Sequence, residues 1–163
     1  MIVLRSYLKC IEIINKIASY TIAIMLGLMV IFISMQVYAR FVSGQSLAWS
    51  EEASRFLMVW LILLGTGIAS KRGELMAVEI LPDSVSLKLQ KLIKVVVHCI
   101  SILFFSILVF YGWELAKGVA IQTAPGIGIS MFWAYVSVPV GAIFVILNTI
   151  NSIIKIFVEV GDT

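Results

Sequence analysis

The stretch IASYTIAIMLGLMVIFISMQVYA, residues 17–39, runs between Lys16 and Arg40 and holds 23 residues without one charge. An α-helix rises about 1.5 Å per residue, so roughly 20 such residues cross the ~30 Å hydrocarbon core of a bilayer. The stretch reads as a transmembrane helix. It is too long for the apolar region of a cleavable signal, which holds about 7–15 residues; no such signal is evident.

The rest of the chain agrees. Of 163 residues, 61% are hydrophobic and 13% charged, and the mean hydropathy is +1.09. A soluble domain is about 45–50% apolar and about 25% charged, and a chain this short has no core large enough to hide the excess. The composition implies an all-α integral membrane protein. It excludes a soluble enzyme, a secreted disulfide scaffold and a disordered tail.

Charges delimit three further spans. Fifteen uncharged residues, Phe56–Ser70, separate Arg55 from Lys71, so the second helix must borrow its first turn from the charged residues before it. Nineteen, carrying only His98, separate Lys94 from Glu114; the 37 between Lys117 and Lys155 are too many for one helix. Within the last run, Gln122–Ser130 (QTAPGIGIS) has the Gly and Pro content of a loop. The expected spans are about 17–39, 50–70, 95–113 and 130–154, in one membrane domain covering 1–163. Pro139 falls inside the fourth and is expected to kink it, as membrane helices tolerate.

The basic residues are unevenly placed. Arg5, Lys9, Lys16, Lys71, Arg72, Lys88, Lys91, Lys94 and Lys155 fall on one side of the expected topology; Arg40, Arg55 and Lys117 fall on the other. The richer side is expected to be cytoplasmic, with both termini there. The net charge of +3 thus reports topology and not nucleic-acid binding. Arg5, Lys9, Glu12 and Lys16 share one helical face within about 60°, with Leu4, Leu8, Ile11 and Ile14 covering much of the remainder. Residues 1–16 are expected to form an amphipathic helix lying in the interface before the first span. After Pro82-Asp83-Ser84, with Lys88, Lys91 and Lys94 opposite Val85, Leu89, Leu92, Ile93 and Val96, two readings stand side by side: a second interfacial helix, or a solvated end of the third span. All these cations are candidate interfacial anchors to the lipid bilayer.

Chemistry is nearly absent. No nucleophile elbow, phosphate loop or metal cluster is present, and an enzyme is not expected. Cys10 and Cys99 belong to no CxxC pair and read as small hydrophobes. One His excludes a bis-histidine haem within the chain. His98, four residues past Lys94, reads as a hydrogen-bonded interface residue.

The polar cluster that stands out runs from Gln36 to Arg55. Gln36 and Arg40 end the first span; Trp49, Ser50, Glu51 and Glu52 open the second. Ser50 can cap that helix, and Glu51 or Glu52 can pair with Arg55 at i,i+4 or i,i+3. Two readings follow. The cluster is an interfacial rim of snorkelling side chains, or a clasp that joins spans one and two or docks a partner subunit. The crowding of charge on the first turn of a short span favours the clasp, with Gln36, Arg40, Trp49, Glu51, Glu52 and Arg55 as its candidate residues.

These residues carry a resemblance. Gln36-Val37-Tyr38-Ala39-Arg40-Phe41, Leu47-Ala48-Trp49-Ser50-Glu51-Glu52, Arg55 through Trp60, Leu64-Gly65 and Lys71-Arg72-Gly73 resemble the small membrane subunit, DctQ-type, of tripartite ATP-independent periplasmic (TRAP) transporters. The likeness continues through Thr123-Ala124-Pro125, Trp133 and Pro139 and covers nearly the whole chain. It departs at Leu75-Met76-Ala77-Val78-Glu79, where such subunits often carry His and Val-Asp, so no role for that His carries over. The resemblance implies a scaffold in the bacterial inner membrane, beside a large membrane subunit that holds the substrate and sodium sites. A periplasmic binding protein would deliver an organic acid. It implies no cofactor on this chain, with sodium on the large subunit. Sialic acid and C4-dicarboxylates are the family's familiar substrates; general likeness leans to sialic acid, though no residue chooses.

Two other classes compete. A self-sufficient four-helix multidrug-type transporter would resemble proteins with a membrane-embedded Glu in the first span, which this span lacks. A membrane anchor of a redox complex is disfavoured by the single His.

Overall fold

The computed structural model describes residues 2–42, 44, 46–72 and 87–158. These form helices α1 (Ile2–Val42), α2 (Ala48–Arg72), α3 (Leu87–Gly118), α4 (Phe132–Tyr135) and α5 (Ser137–Val158). Four stretches are long and apolar enough to cross a membrane: Lys9–Val42, Ala48–Lys71, Leu89–Gly118 and Phe132–Ile154. The fold is therefore the expected all-helical, four-span one. The residues expected to start the second interfacial helix, and the departure at Leu75–Glu79, lie outside the described residues.

Two expectations are corrected. The N-terminal amphipathic segment is not set off by a turn at Lys16. It is continuous with the first span in one helix of 41 residues. No Gly or Pro occurs from Ile2 to Leu26 to break it. At about 1.5 Å per residue this helix is near 60 Å long, twice the hydrocarbon core. Of the two readings of Lys88, Lys91 and Lys94, the structure favours the helix end: they ride on the first turns of α3, a helix of 32 residues. The basic segments are thus extensions of α1 and α3 beyond the apolar core. The second helix, in turn, begins at Ala48 and not at Ser50. The buried Ser50 hydroxyl donates back to Leu47 O at 2.9 Å, so it does not cap the helix.

The fourth span breaks at Val136, between α4 and α5. Pro139 has no N–H for the carbonyl of Tyr135, so the helical ladder is interrupted there. It resumes with Val140 N–H donating to Val136 O at 3.2 Å. The helix is interrupted one turn before the proline, where the kink was expected.

α5 is the centre of the bundle. It packs against α2 and α3, and α1 packs against α2. Half of the most apolar window of the fourth span is buried, against 6% for the first and third. Lipid tails give no hydrophobic drive for helix association, so close backbone approach must do that work. Three glycines mark the crossings. A Cβ on Gly67 would lie 2.2 Å from the Phe144 ring, one on Gly141 2.6 Å from Leu63 Cβ, and one on Gly112 2.8 Å from Val138 Cγ1.

Candidate functional site

Polar contacts gather at the two ends of the bundle. At the end where α1 stops and α2 starts, Gln36 Nε2 donates to Glu51 Oε2 at 3.2 Å, joining the first two spans. Glu51 also pairs with Arg55 one turn on. Those side chains are 70% and 46% exposed for Arg55 and Glu51, so the ion pair contributes only about 0–1 kcal/mol. Trp49 meets Phe32 edge to face at 5.7 Å, a second α1–α2 contact. Arg40 is exposed at the end of α1 and makes no hydrogen bond or ion pair among the described residues. Of the six cluster residues, the structure brings Gln36, Glu51 and Arg55 into one chain of contacts and leaves Arg40 outside it.

Glu52 does something the spacing did not suggest. It turns away from Arg55 and accepts the backbone N–H groups of Gly126, at 2.7 Å, and Ile127, at 3.1 Å. These belong to the loop between α3 and α4. That loop closes as a tight hairpin, with Ala124 N–H donating to Ile129 O at 2.9 Å and Met131 N–H to Gln122 O at 2.8 Å. Gly128 turns it with φ +68°, the left-handed region where a side chain is strained. Gly126 is needed for a different reason. A Cβ there would sit 2.8 Å from Glu52 Oε2 and 3.0 Å from the Ala48 carbonyl. Two aligned N–H groups and a carboxylate form a charge-assisted contact stronger than a neutral one. Nearby, Trp60 Nε1–H donates to Trp133 O at 2.9 Å and ties α2 to α4.

At the opposite end lies a buried seam of amides and hydroxyls that sequence reasoning missed. Asn15 Nδ2 donates to Asn148 Oδ1 at 2.7 Å, across α1 and α5. Asn148 Nδ2 donates in turn to Gly67 O at 3.0 Å, reaching α2. Ser70 and Thr149 share a hydrogen bond of 3.0 Å between α2 and α5. Asn15, Ser70, Asn148, Thr149 and Asn151 are all buried. Asn148-Thr149 and Asn151 inside an apolar span were the available signal, since an amide in hydrocarbon must find a partner. His98 is buried beside Lys94, with Nδ1 2.7 Å from the Lys94 carbonyl oxygen, the hydrogen-bonded state expected of it.

Lys9, Lys16, Lys91 and Lys94 are exposed at this same end. The side chains of Arg5 and Lys88 lie outside the described set. Cys10 and Cys99 are free and exposed.

The family profile of tripartite ATP-independent periplasmic transporters, DctQ component, matches residues 15–159. The sialic acid TRAP transporter small permease protein SiaQ of Vibrio cholerae serotype O1 is 23% identical over 145 residues, 89% of this chain and 84% of its own length. A Haemophilus influenzae relative is 24% identical over 157 residues, 96% of this chain and 94% of its own. The C4-dicarboxylate TRAP transporter small permease protein DctQ of Vibrio cholerae serotype O1 is 24% identical over 100 residues, 61% of this chain and 43% of its own. These are transporter subunits, a non-enzymatic class, and neither the multidrug-type nor the redox-anchor reading accounts for the match. With four helices long and apolar enough to cross a membrane and a family match over residues 15–159, the chain belongs to the DctQ component family of TRAP transporters.

Proposed function

We propose that this chain is the fixed scaffold subunit of a sodium-coupled TRAP transporter in a bacterial inner membrane. It would work with a large membrane subunit that carries substrate and sodium, and with a periplasmic binding protein. The substrate class is an organic acid, of the sialic acid or C4-dicarboxylate kind that the relatives' names carry. The observation that carries the reading, beside the family, is how the buried polar groups are used. Three hydrogen bonds among the buried amides and hydroxyls hold helix to helix: Asn15 to Asn148, Asn148 to Gly67 and Ser70 to Thr149. Groups engaged in locking a bundle suit a part that stays still while its partner moves. The excess of basic residues at that end supports a cytoplasmic position for both termini.

The test is affinity purification of the tagged chain from its native membrane in mild detergent. A large hydrophobic transporter subunit should co-purify. The chain reconstituted alone should show no organic-acid uptake under a sodium gradient, and uptake by it alone would overturn the scaffold role.

A further inference from the structure

No charged residue occurs from Gly118 to Ile154, and the α3–α4 hairpin lies in the first part of that run. Loops that stand in water are normally polar. This one exposes Ile121 by 94%, with Ile129 and Trp133 also exposed. Contacts to α2 fix its height. Gly126 lies against Glu52, and a Cβ on it would meet the Ala48 carbonyl at 3.0 Å. Glu51 bonds Gln36 of the antiparallel α1. Three residues back from Glu51 is Ala48, and three on from Gln36 is Ala39, the last residue of the uncharged stretch of α1. The tip of the hairpin is thus level with the end of an uncharged span and does not stand above it. Ile121 sits deeper. Its neighbour Gln122 accepts the N–H of Met131 at 2.8 Å, and Met131 shares a cleft with Arg55, Phe56 and Val59.

The backbone is closed as that depth requires, since lipid offers an N–H no acceptor. The N–H groups of Ala124, Gly128 and Met131 donate to carbonyls of the loop itself, and that of Phe132 to Ser130 Oγ at 3.2 Å. Those of Gly126 and Ile127 use the Glu52 carboxylate. Around the hairpin, Trp113 and Trp133 are exposed, and the Lys117 ammonium lies 5.6 Å from the Trp113 ring centre. Exposed indoles beside a snorkelling lysine are the make-up of a lipid headgroup belt. Lys117 also pairs with Glu114 at 3.1 Å, so the local charges answer each other and do not await a partner protein.

We propose that the α3–α4 hairpin is an in-plane lipid anchor. It lies in the headgroup layer of the leaflet opposite the basic end, with Ile121 among the acyl chains, and Glu52 holds it there by accepting two N–H groups that lipid would leave unpaired. A loop in water would leave Ile121 and both indoles uncovered and would need no carboxylate to close its backbone. The inference rests on the membrane-spanning fold and not on the transported acid or on the scaffold role.

The experiment is spin labelling of the full chain in lipid nanodiscs. Ile121→Cys, Ile107→Cys and Lys91→Cys are each made in a Cys10→Ser/Cys99→Ser background. Collision of each label with oxygen, which prefers lipid, is compared with collision with a nickel chelate, which prefers water. The oxygen-to-nickel ratio at Ile121 should approach that at Ile107, on the exposed face of α3, and exceed that at Lys91 severalfold. In Glu52→Ala the Ile121 ratio should fall toward that of Lys91 while the Ile107 ratio stays; if Ile107 also changes, that variant has lost its fold and the parent ratios decide alone. A ratio at Ile121 equal to that at Lys91 would overturn the proposal. Exclusion of both reagents, in the chain alone or in the chain purified with a partner subunit, would overturn lipid as the occupant. An Ile121 ratio unchanged in a folded Glu52→Ala would overturn the role given to Glu52.

Discussion

The Glu52 carboxylate accepts the N–H of Gly126 at 2.7 Å, joining the first turns of α2 to a loop 74 residues later in the chain. The contact fixes the α3–α4 hairpin against α2 and so sets where the fourth span enters the bundle. Glu52→Ala leaves the Gly126 and Ile127 N–H groups without their acceptor, a cost of about 1–3 kcal/mol. Arg55→Ala removes only one partner of an exposed pair, a cost of about 0–1 kcal/mol. Thermal unfolding in detergent should therefore rank Glu52→Ala well below Arg55→Ala. The reverse order would place the energetic weight on the Glu51–Arg55 pair.

Gly126→Ala should imitate Glu52→Ala. Its added methyl would lie 2.8 Å from the Glu52 oxygen and 3.0 Å from Ala48 backbone atoms, and backbone cannot yield cheaply. Combined with Glu52→Ala it should cost less than the sum of the two, since both break one contact. Strict additivity would show that the loop is held by something else.

The four spans, the loop at Gln122–Ser130 and the helix break before Pro139 were legible because charge, length and proline act locally. The use of each polar residue was less so. Glu52 lies three residues before Arg55, and that spacing suits a pair, yet the backbone of a distant loop outcompetes the side chain. Arg40 sits in the same motif and stays exposed, outside those contacts. The Asn15–Asn148 bond was invisible for a related reason. Asn15 lies among charged residues and reads as surface, and only the unbroken course of α1 through Lys16 brings it against α5. Helix periodicity shows which residues share a face, but not which neighbour that face meets.

Small residues should control the α2–α5 crossing. Gly67→Val and Gly141→Val place carbon where Phe144 and Leu63 now sit, and overpacking of this kind costs about 1–3 kcal/mol or more. Gly65→Ala has open space beside it and should be neutral or slightly stabilising. Expression level and unfolding temperature should separate Gly67 and Gly141 from Gly65, and equal tolerance at all three would mean the helices are not in close contact.

The basic end should face the cytoplasm. Single cysteines introduced into a Cys10→Ser/Cys99→Ser background, at Lys91 and at Lys117, should be labelled from opposite sides in intact cells. Lys117, at the end of α3, should react with a membrane-impermeant maleimide added outside, and Lys91 only after the membrane is opened. External labelling at Lys91 with protection at Lys117 would invert the topology.

Asn15 and Asn148 should be energetically coupled. Their hydrogen bond is buried and links α1 to α5, whereas α1 otherwise packs chiefly on α2. Hydrogen bonds between membrane helices average about 0.6 kcal/mol and reach roughly 1.7 kcal/mol, less than their burial suggests, because the unfolded chain in lipid finds other partners. The Asn15–Asn148 bond belongs at the upper end. The Asn148 amide nitrogen is committed to Gly67 O and Phe144 O, which orients its oxygen toward Asn15. Asn148→Leu should cost more than Asn15→Leu, since it removes the α2 contact as well. The double mutant should fall short of the sum by roughly 1–1.7 kcal/mol in a denaturation cycle in mixed micelles. A coupling near zero would mean that the two amides find water or lipid instead of each other, and that α1 is held by α2 alone.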